Sequence, residues 1–145
     1  MKKILVAAAT VLFSITCFAA DAPVTEKVLK AFQQSFTNAK DATWHGYNNY
    51  WEVTFKHNAI DTRISYSEDG TILKTVRYYK GTHLPVFVQA KLQKEYSNKK
   101  VFGVTEITIE GEIDYHVVLE DKTSWMHVKC NGSGEMSVTK KYKKA

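Results

Sequence analysis

Cysteine is scarce in this chain, which has two cysteines, Cys17 and Cys130, among 145 residues. Cys17 lies in an apolar N-terminal run of the leader type, so one thiol remains for a folded, exported domain. A single thiol cannot form a disulfide within that domain, and its stability must come from packing. We expect Cys130 to be a half-buried strand residue.

The motifs that commonly mark an enzyme are also missing. No Ser/His/Asp, Cys/His or paired-carboxylate arrangement stands out, no glycine-rich phosphate loop precedes a helix, and His-Glu-x-x-His does not occur. Cys130 would act as a nucleophile only beside a base. We predict a non-catalytic protein without a cofactor.

Neither sign of charge is in large excess. The formal net charge is +5, from 20 basic and 15 acidic residues, and two of the basic residues are Lys2 and Lys3. Without the first 20 residues, 18 basic residues face 15 acidic ones, a balance of +3. This mild excess, in a chain that we expect to be exported, argues against nucleic acid as the partner.

The first 20 residues have the layout of a cleaved secretory signal. After the two lysines comes the apolar run Ile4–Phe18, which is too short to span a bilayer, and Ala19 and Ala20 precede the polar Asp21. We predict a signal peptide at residues 1–20 with cleavage near Ala19 or Ala20, a periplasmic or secreted location, and no transmembrane segment. Lipidation of Cys17 is an open alternative.

Residues 21–145 predict a single domain made of two similar halves, at about residues 24–80 and 82–143. Val28–Lys40 matches Val88–Lys100 at an offset of 60, and Tyr50–Phe55 matches Asp114–Leu119 at an offset of 64. Each half begins with apolar residues at helical spacing, which are Val28, Leu29, Phe32 and Phe36 in the first half and Val88, Leu92 and Tyr96 in the second.

Alternating runs typical of strands follow each helix and are separated by turn residues. The predicted strands are Ala42–Tyr47, Tyr50–His57, Ala59–Ser67, Thr71–Tyr79, Val101–Glu110, Glu112–Glu120, Ser124–Asn131 and Gly134–Tyr142. In one of them Trp51, Val53 and Phe55 alternate with polar residues, so one face is core and the other is solvated. We therefore predict an α+β fold of two tandem repeats, each with one helix followed by a four-stranded antiparallel meander, and with the helices packed on one face of the sheet.

Several segments together resemble a known family. They are "YWEVTF" with Trp44 before it, "YSEDGTIL" with its Asp69-Gly70 turn, "LPVFVQAKLQKEY" opened by Leu84-Pro85, and "EIDYHVVL". Following a signal peptide in this order, they resemble the PepSY-like, β-lactamase-inhibitor-like periplasmic proteins of bacteria. The resemblance covers about residues 24–142. It implies a helix-plus-sheet fold with a sheet that can bind protein, and it supplies no catalytic residues.

The register of the second-half hairpin determines which side chains meet on the solvated face. A turn around Asp121-Lys122 would place His116 directly opposite His127. The same register in the first half would place Glu52 opposite Arg63. A cross-strand ion pair in one half would then correspond to a histidine pair in the other.

Two readings of this histidine pair remain open. His116 and His127 could bind Zn²⁺ or Cu²⁺ with a third ligand, for which Glu106 and Glu120 are candidates. The alternative is an exposed polar pair that binds nothing. A metal-binding or metal-sensing envelope protein is therefore the second functional hypothesis.

The leading hypothesis is a binding module without catalysis. Trp125, with Val118 beside it, would form an apolar spot on an otherwise charged face, which is typical of binding anchors. We expect an envelope protein or peptide to bind this solvated face of the sheet. The candidate contact residues are Trp125, His116, His127, Arg63, Glu52 and Val118.

A third hypothesis concerns the lysine-rich tail. Lys140–Ala145 is the densest charge in the chain, and we expect it to end the last strand and to fray into solvent. It could make weak contact with anionic surfaces such as envelope polymers or lipid headgroups. By default we expect the protein to be a monomer.

Overall fold

The computed structural model describes residues 23–144, so the predicted signal peptide at residues 1–20, with Cys17, lies outside the described residues. The elements are α1 Glu26–Ser35, β1 Lys40–Gly46, β2 Tyr50–His57, β3 Ile60–Ser67, β4 Ile72–Tyr79, a 3₁₀ turn Gly81–His83, α2 Val86–Glu95, β5 Lys100–Ile109, β6 Glu112–Glu120, β7 Ser124–Asn131 and β8 Met136–Lys143. Within the described range, neither helix has the length and apolar character needed to cross a membrane.

Helix α1 begins and packs as its sequence predicts. The hydroxyl of Thr25 caps its first turn by accepting a hydrogen bond from the backbone N–H of Val28 at 3.4 Å. Val28 and Phe32, which are spaced by one helical turn, are both buried against the sheet. In α2, Val88 and Leu92 are also one helical turn apart, and both are buried.

All eight strands belong to one antiparallel sheet, in the order in which they occur along the chain. Helix α2 lies in the connection between β4 and β5, yet these two strands pair continuously, from Lys74 opposite Ile109 to Tyr79 opposite Val104. The predicted fold class, two repeats of a helix and a four-stranded meander, is therefore wrong. The molecule has two helices and a single eight-stranded meander, because the β4–β5 hydrogen bonds remove any boundary between the halves.

The strand register places both helices on the same face of the sheet. Val53 lies opposite Ile64, Ile64 opposite Thr75, Thr75 opposite Thr108, and Thr108 opposite Ile113, so all five side chains point to one side. Two apolar clusters lie on this helix-covered face. The α1 cluster contains Val28, Phe32, Trp51, Val53, Phe55, Ile64 and Tyr66, and the α2 cluster includes Val88, Leu92, Val104, Tyr115, Val117, Leu119, Met126, Val128 and Cys130.

A polar group crosses the helix-covered face in the middle of the sheet. Arg77 of β4 forms an ion pair with Glu106 of β5, with 2.9 Å between Nη1 and Oε1. The hydroxyl of Tyr79 donates a hydrogen bond to the other carboxylate oxygen of Glu106 at 2.6 Å. Burial, reinforced by this hydrogen bond, raises the pKa of Tyr79 well above its ordinary value. The other face of the sheet, called the open face below, is covered by neither helix.

Candidate functional site

The open face carries an apolar hollow at its centre. Val76 of β4 forms the floor and is only 6% exposed, although it points away from both helices. Tyr50, Leu73, Tyr78 and Ile107 surround it, and the hollow has a volume of about 430 Å³. A cavity of this size with mainly apolar walls can accept side chains of a binding partner.

An ion pair lies on one wall of this central hollow. Arg63 Nε is 3.6 Å from Glu52 Oε1, and the side chain of Glu52 is largely buried while that of Arg63 is half exposed. The two residues are diagonal neighbours, because Arg63 pairs with Thr54 and Glu52 pairs with Ser65. The direct pairing of Glu52 with Arg63 expected from the sequence is therefore wrong, although the ion pair itself is present.

The hollow continues toward β5 and β6. Tyr78 and Thr105 also line a second hollow of about 480 Å³, which extends to Phe102 and Val118. The two hollows adjoin at these two residues, and we call them together the trough; its second part also reaches Ile60, Tyr79 and Val104 at the ends of their strands. A trough of this kind can take several consecutive residues of a bound polypeptide.

Aromatic side chains lie at the far end of this trough. Phe102 and Trp125 make an edge-to-face contact with 4.8 Å between their ring centroids, and His127 contacts Tyr142 in the same way at 5.6 Å. Phe102 and Tyr142 are both 48% exposed. We call these four residues the aromatic patch. Such a cluster of exposed rings offers large contact area at low conformational cost.

The six residues that the sequence singled out share the open face but occupy different parts of it. Trp125 and His127 belong to the aromatic patch, and Val118 lies opposite His127. Arg63 and Glu52 line the central hollow. His116, by contrast, lies opposite Lys129 and is exposed.

The predicted direct pairing of His116 with His127 is wrong. In the observed register these two residues are diagonal neighbours. The reason lies in the turn, which closes through a hydrogen bond from the Asp121 N–H to the Ser124 carbonyl at 3.1 Å. The carboxylate of Asp121 also accepts hydrogen bonds from the backbone N–H groups of Thr123 and Ser124, which draws both residues out of the predicted pairing.

Neither candidate for a third metal ligand is free at this site. Glu106 points to the helix-covered face, where it binds Arg77 and Tyr79. Glu120 points to the open face but forms an ion pair with Lys144 at 2.8 Å. Among residues 23–144 no group of three His, Cys, Asp or Glu side chains is arranged to hold a metal ion.

The tail is ordered further than the sequence suggested. Strand β8 continues to Lys143, and the N–H of Lys144 donates to the carbonyl of Thr123 at 2.8 Å. The ammonium group of Lys144 lies 4.3 Å from the centroid of the Trp125 ring. The expectation of a frayed tail is therefore wrong up to Lys144, and this lysine belongs to the edge of the aromatic patch.

Sequence reasoning missed the residues that form the trough. Val76 and Tyr78 alternate with the inward Arg77, and this inverted pattern in β4 is the signal that could have revealed them. Ile107 joins them only because β4 pairs with β5 across the intervening helix. Phe102 reaches the open face at an irregularity in the β5–β6 pairing, between Val101 and Gly103, which no sequence periodicity predicts.

The single thiol of the folded region has no part in this site. Cys130 is fully buried in the α2 cluster on the helix-covered face, rather than half-buried as expected. Burial is the main cause of its raised pKa, which disfavours the reactive thiolate.

Comparison with known proteins identifies the fold but no close relative. No family model matches the chain, and no curated protein matches it. A BLIP-like protein from Bacteroides fragilis superimposes with a TM-score of 0.62 at 15% identity, covering 84% of this chain and 87% of that one. A proposed periplasmic protein from Bacteroides eggerthii gives 0.61 at 17% identity, over 84% and 90% of the two chains. A DUF2874 family protein from Bacteroides uniformis gives 0.60 at 17% identity, over 84% and 89%.

These similarities confirm the resemblance to β-lactamase-inhibitor-like proteins that the sequence suggested. They do not test the resemblance to PepSY-like proteins. At such low identity they establish the architecture alone. The chain has the fold shared by this BLIP-like protein and these periplasmic and DUF2874 proteins of Bacteroides.

Proposed function

We propose that the chain is an exported, non-catalytic binding protein that engages a protein or peptide through its open face. The observation that carries this proposal is the apolar trough, whose floor at Val76 is 6% exposed although no helix covers it. Tyr78 and Phe102 rise beside the trough and are nearly half exposed. Half-exposed aromatic side chains beside a hollow on an uncovered sheet face are typical of an interaction site.

An envelope location supports the proposal. The leader-like residues 1–20 favour export, and one of the structural neighbours is described as a proposed periplasmic protein. The BLIP-like description of another neighbour agrees with protein binding as a use of this fold. In this proposal the partner is an envelope protein or peptide, the binding protein is a monomer, and no cofactor takes part.

Site-specific photocrosslinking tests the proposal in cells that export the protein. A photoreactive phenylalanine analogue replaces Tyr78 or Phe102 on the open face. In the control, the same analogue replaces Val86, which is 81% exposed at the start of α2. We expect defined adducts from the two open-face positions and none from position 86.

A second substitution identifies the surface responsible for the adducts. Trp125→Ala should reduce the adduct formed from position 102, because this ring contacts Phe102 directly. The melting temperature of each variant verifies that the fold survives. Adducts of equal yield from position 86, or none from positions 78 and 102, would contradict binding through the open face.

A further inference from the structure

Lysine side chains surround the aromatic patch. Lys80 Nζ lies 4.9 Å from the centroid of the Phe102 ring and donates a hydrogen bond to the carbonyl of Phe102 at 3.1 Å. Lys144 Nζ lies 4.3 Å from the centroid of the Trp125 ring. The two ammonium groups thus flank the Phe102–Trp125 contact.

Strand register adds two more lysines to the same area. Lys140 lies directly opposite His127 on the open face, and Lys100 lies directly opposite Glu120. Glu120 lies directly opposite Trp125 and is bound by Lys144, while Asp61, which lines the same hollow as Lys80 and Phe102, forms an ion pair with Lys56. Four lysines therefore lie at this end of the face, and each of the two nearby carboxylates already binds a lysine.

Elsewhere on the open face most cations are paired within the molecule, and Lys74 in the wall of the central hollow is the exception among the described residues. Three cations there have acidic partners at 2.8, 3.6 and 2.9 Å, in the pairs Lys56–Asp61, Arg63–Glu52 and Lys129–Asp114. In contrast, Lys80, Lys100 and Lys140 form no ion pair among the described residues. The excess positive charge is thus concentrated at the exposed rings.

We infer that the aromatic patch binds an acidic segment of the protein partner, in which carboxylates lie beside apolar side chains. The inference rests on the proposed function and specifies its partner. An ammonium group has three N–H donors, and Lys80 directs one of them to a carbonyl, so donors remain for partner carboxylates. Apolar partner side chains pack on the exposed rings of Phe102 and Tyr142, where the lysines fix the sign of the neighbouring charge.

Selection from a random 12-residue peptide library displayed on phage provides a probe whatever the identity of the natural partner. The immobilised target is the folded chain without residues 1–20. Selected peptides are synthesised, and their Kd is measured by fluorescence anisotropy against the parent protein and three variants. The variants are Trp125→Ala, the triple variant Lys80→Gln/Lys140→Gln/Lys144→Gln, and a control triple variant, Lys27→Gln/Lys30→Gln/Lys94→Gln.

The control removes the same charge from exposed positions on the two helices. We expect peptides that combine Asp or Glu with Trp, Phe or Leu, and a loss of about tenfold or more in affinity for Trp125→Ala. The patch triple variant should lose about tenfold, since each exposed charge contact contributes modestly. The control should bind as the parent does, and added NaCl should weaken binding to the parent more than to the patch variant.

The possible failures separate the two proposals. Peptides that require Trp125 but carry no acidic residues, or that bind the patch triple variant as tightly as the parent, overturn the acidic partner and leave open-face binding intact. Peptides that bind with no dependence on Trp125 or the patch lysines count against both proposals. Vesicles of phosphatidylglycerol and phosphatidylcholine form a last arm, and lysine-dependent binding to them without any peptide binding would replace the protein partner with a lipid surface.

Discussion

Substitution of Tyr66 by phenylalanine should stabilise the protein. Tyr66 is fully buried in the α1 cluster, and its hydroxyl is the one buried side-chain polar atom in residues 23–144 that has no hydrogen-bond partner. A buried hydroxyl without a partner costs about 1–3 kcal/mol in lost hydration. Phenylalanine keeps the ring in place and removes this cost.

The small space left by the missing oxygen offsets part of the gain. Loss of the packing contacts of one buried heavy atom costs about 0.5–1 kcal/mol. The net expectation is a stabilisation of about 0–2.5 kcal/mol for Tyr66→Phe. For a domain of this size, about 1 kcal/mol corresponds to a rise of about 4 °C in Tm. Chemical and thermal unfolding at pH 7 measure both quantities.

High pH should increase the advantage of the Tyr66→Phe variant. Burial raises the pKa of Tyr66 to about 12 in the folded protein, whereas an exposed tyrosine in the unfolded chain titrates near 10. The part of the parent's stability that requires a protonated Tyr66 is thus fully present below pH 10. It is lost as pH rises toward 12, because the unfolded chain releases the Tyr66 proton first. Over this range the stability difference between variant and parent should grow by about 2–3 kcal/mol.

The matched control is the same chemical change at Tyr79. Its hydroxyl donates to the Glu106 carboxylate at 2.6 Å, so Tyr79→Phe removes a hydrogen bond to a charged group and should destabilise the protein by about 1.5–3 kcal/mol. If the free energy of unfolding rises in Tyr66→Phe and falls in Tyr79→Phe, the effect of the substitution depends on whether the hydroxyl has a hydrogen-bond partner. A loss of more than 1 kcal/mol in Tyr66→Phe would refute the reasoning, because it would mean that the Tyr66 hydroxyl has a partner.

Three further predictions test individual features of the fold. The Lys99 ammonium and neighbouring N–H groups lower the pKa of Asp121. The stabilisation of the fold by the ionised carboxylate is therefore present above about pH 4 and is lost as pH falls. The Tm measured from pH 6 to 2.5 should fall less steeply for Asp121→Asn than for the parent. Gly46→Ala should cost about 1–3 kcal/mol in urea unfolding, because its Cβ would lie 2.7 Å from the buried Trp51 ring. Gly103→Ala, whose Cβ meets nothing within 4 Å, should be nearly neutral, and a large cost there would contradict this packing. Cys130 should react with a thiol reagent only as fast as the protein unfolds, and rapid labelling of the native protein would contradict its burial.

Local periodicity was sufficient to predict the buried face of most strands. The alternation of Trp51, Val53 and Phe55 is typical of a sheet with one solvated face, and all three side chains are buried as predicted. The apolar stripe of α1 likewise predicted Val28 and Phe32 as core residues. These features depend on nearest neighbours along the chain, which is why a single sequence reveals them.

Register and long-range pairing were beyond the reach of the same reasoning. The two-residue shift that separates His116 from His127 comes from the Asp121 carboxylate, which binds two backbone N–H groups and moves the centre of the turn one residue along the chain. Turn residues predict that a hairpin exists, but side-chain hydrogen bonds of this kind determine which residues form its turn. The β4–β5 pairing, which unites the sheet and places Ile107 beside Val76, bridges strands separated by a helix and has no local signal.

The position of the central hollow follows from the limited reach of the two helices. Eight strands at a spacing of about 4.8 Å extend over about 34 Å, whereas each helix with its side chains is about 10 Å wide. The middle of the helix-covered face therefore lies between the two apolar clusters, and the Arg77–Glu106 ion pair occupies it. With a charged residue of β4 on that side, its apolar side chains Val76 and Tyr78 point to the open face. The central hollow thus lies on the open face behind the gap between the two helices, and the clusters on either side of this gap hold its strands in place.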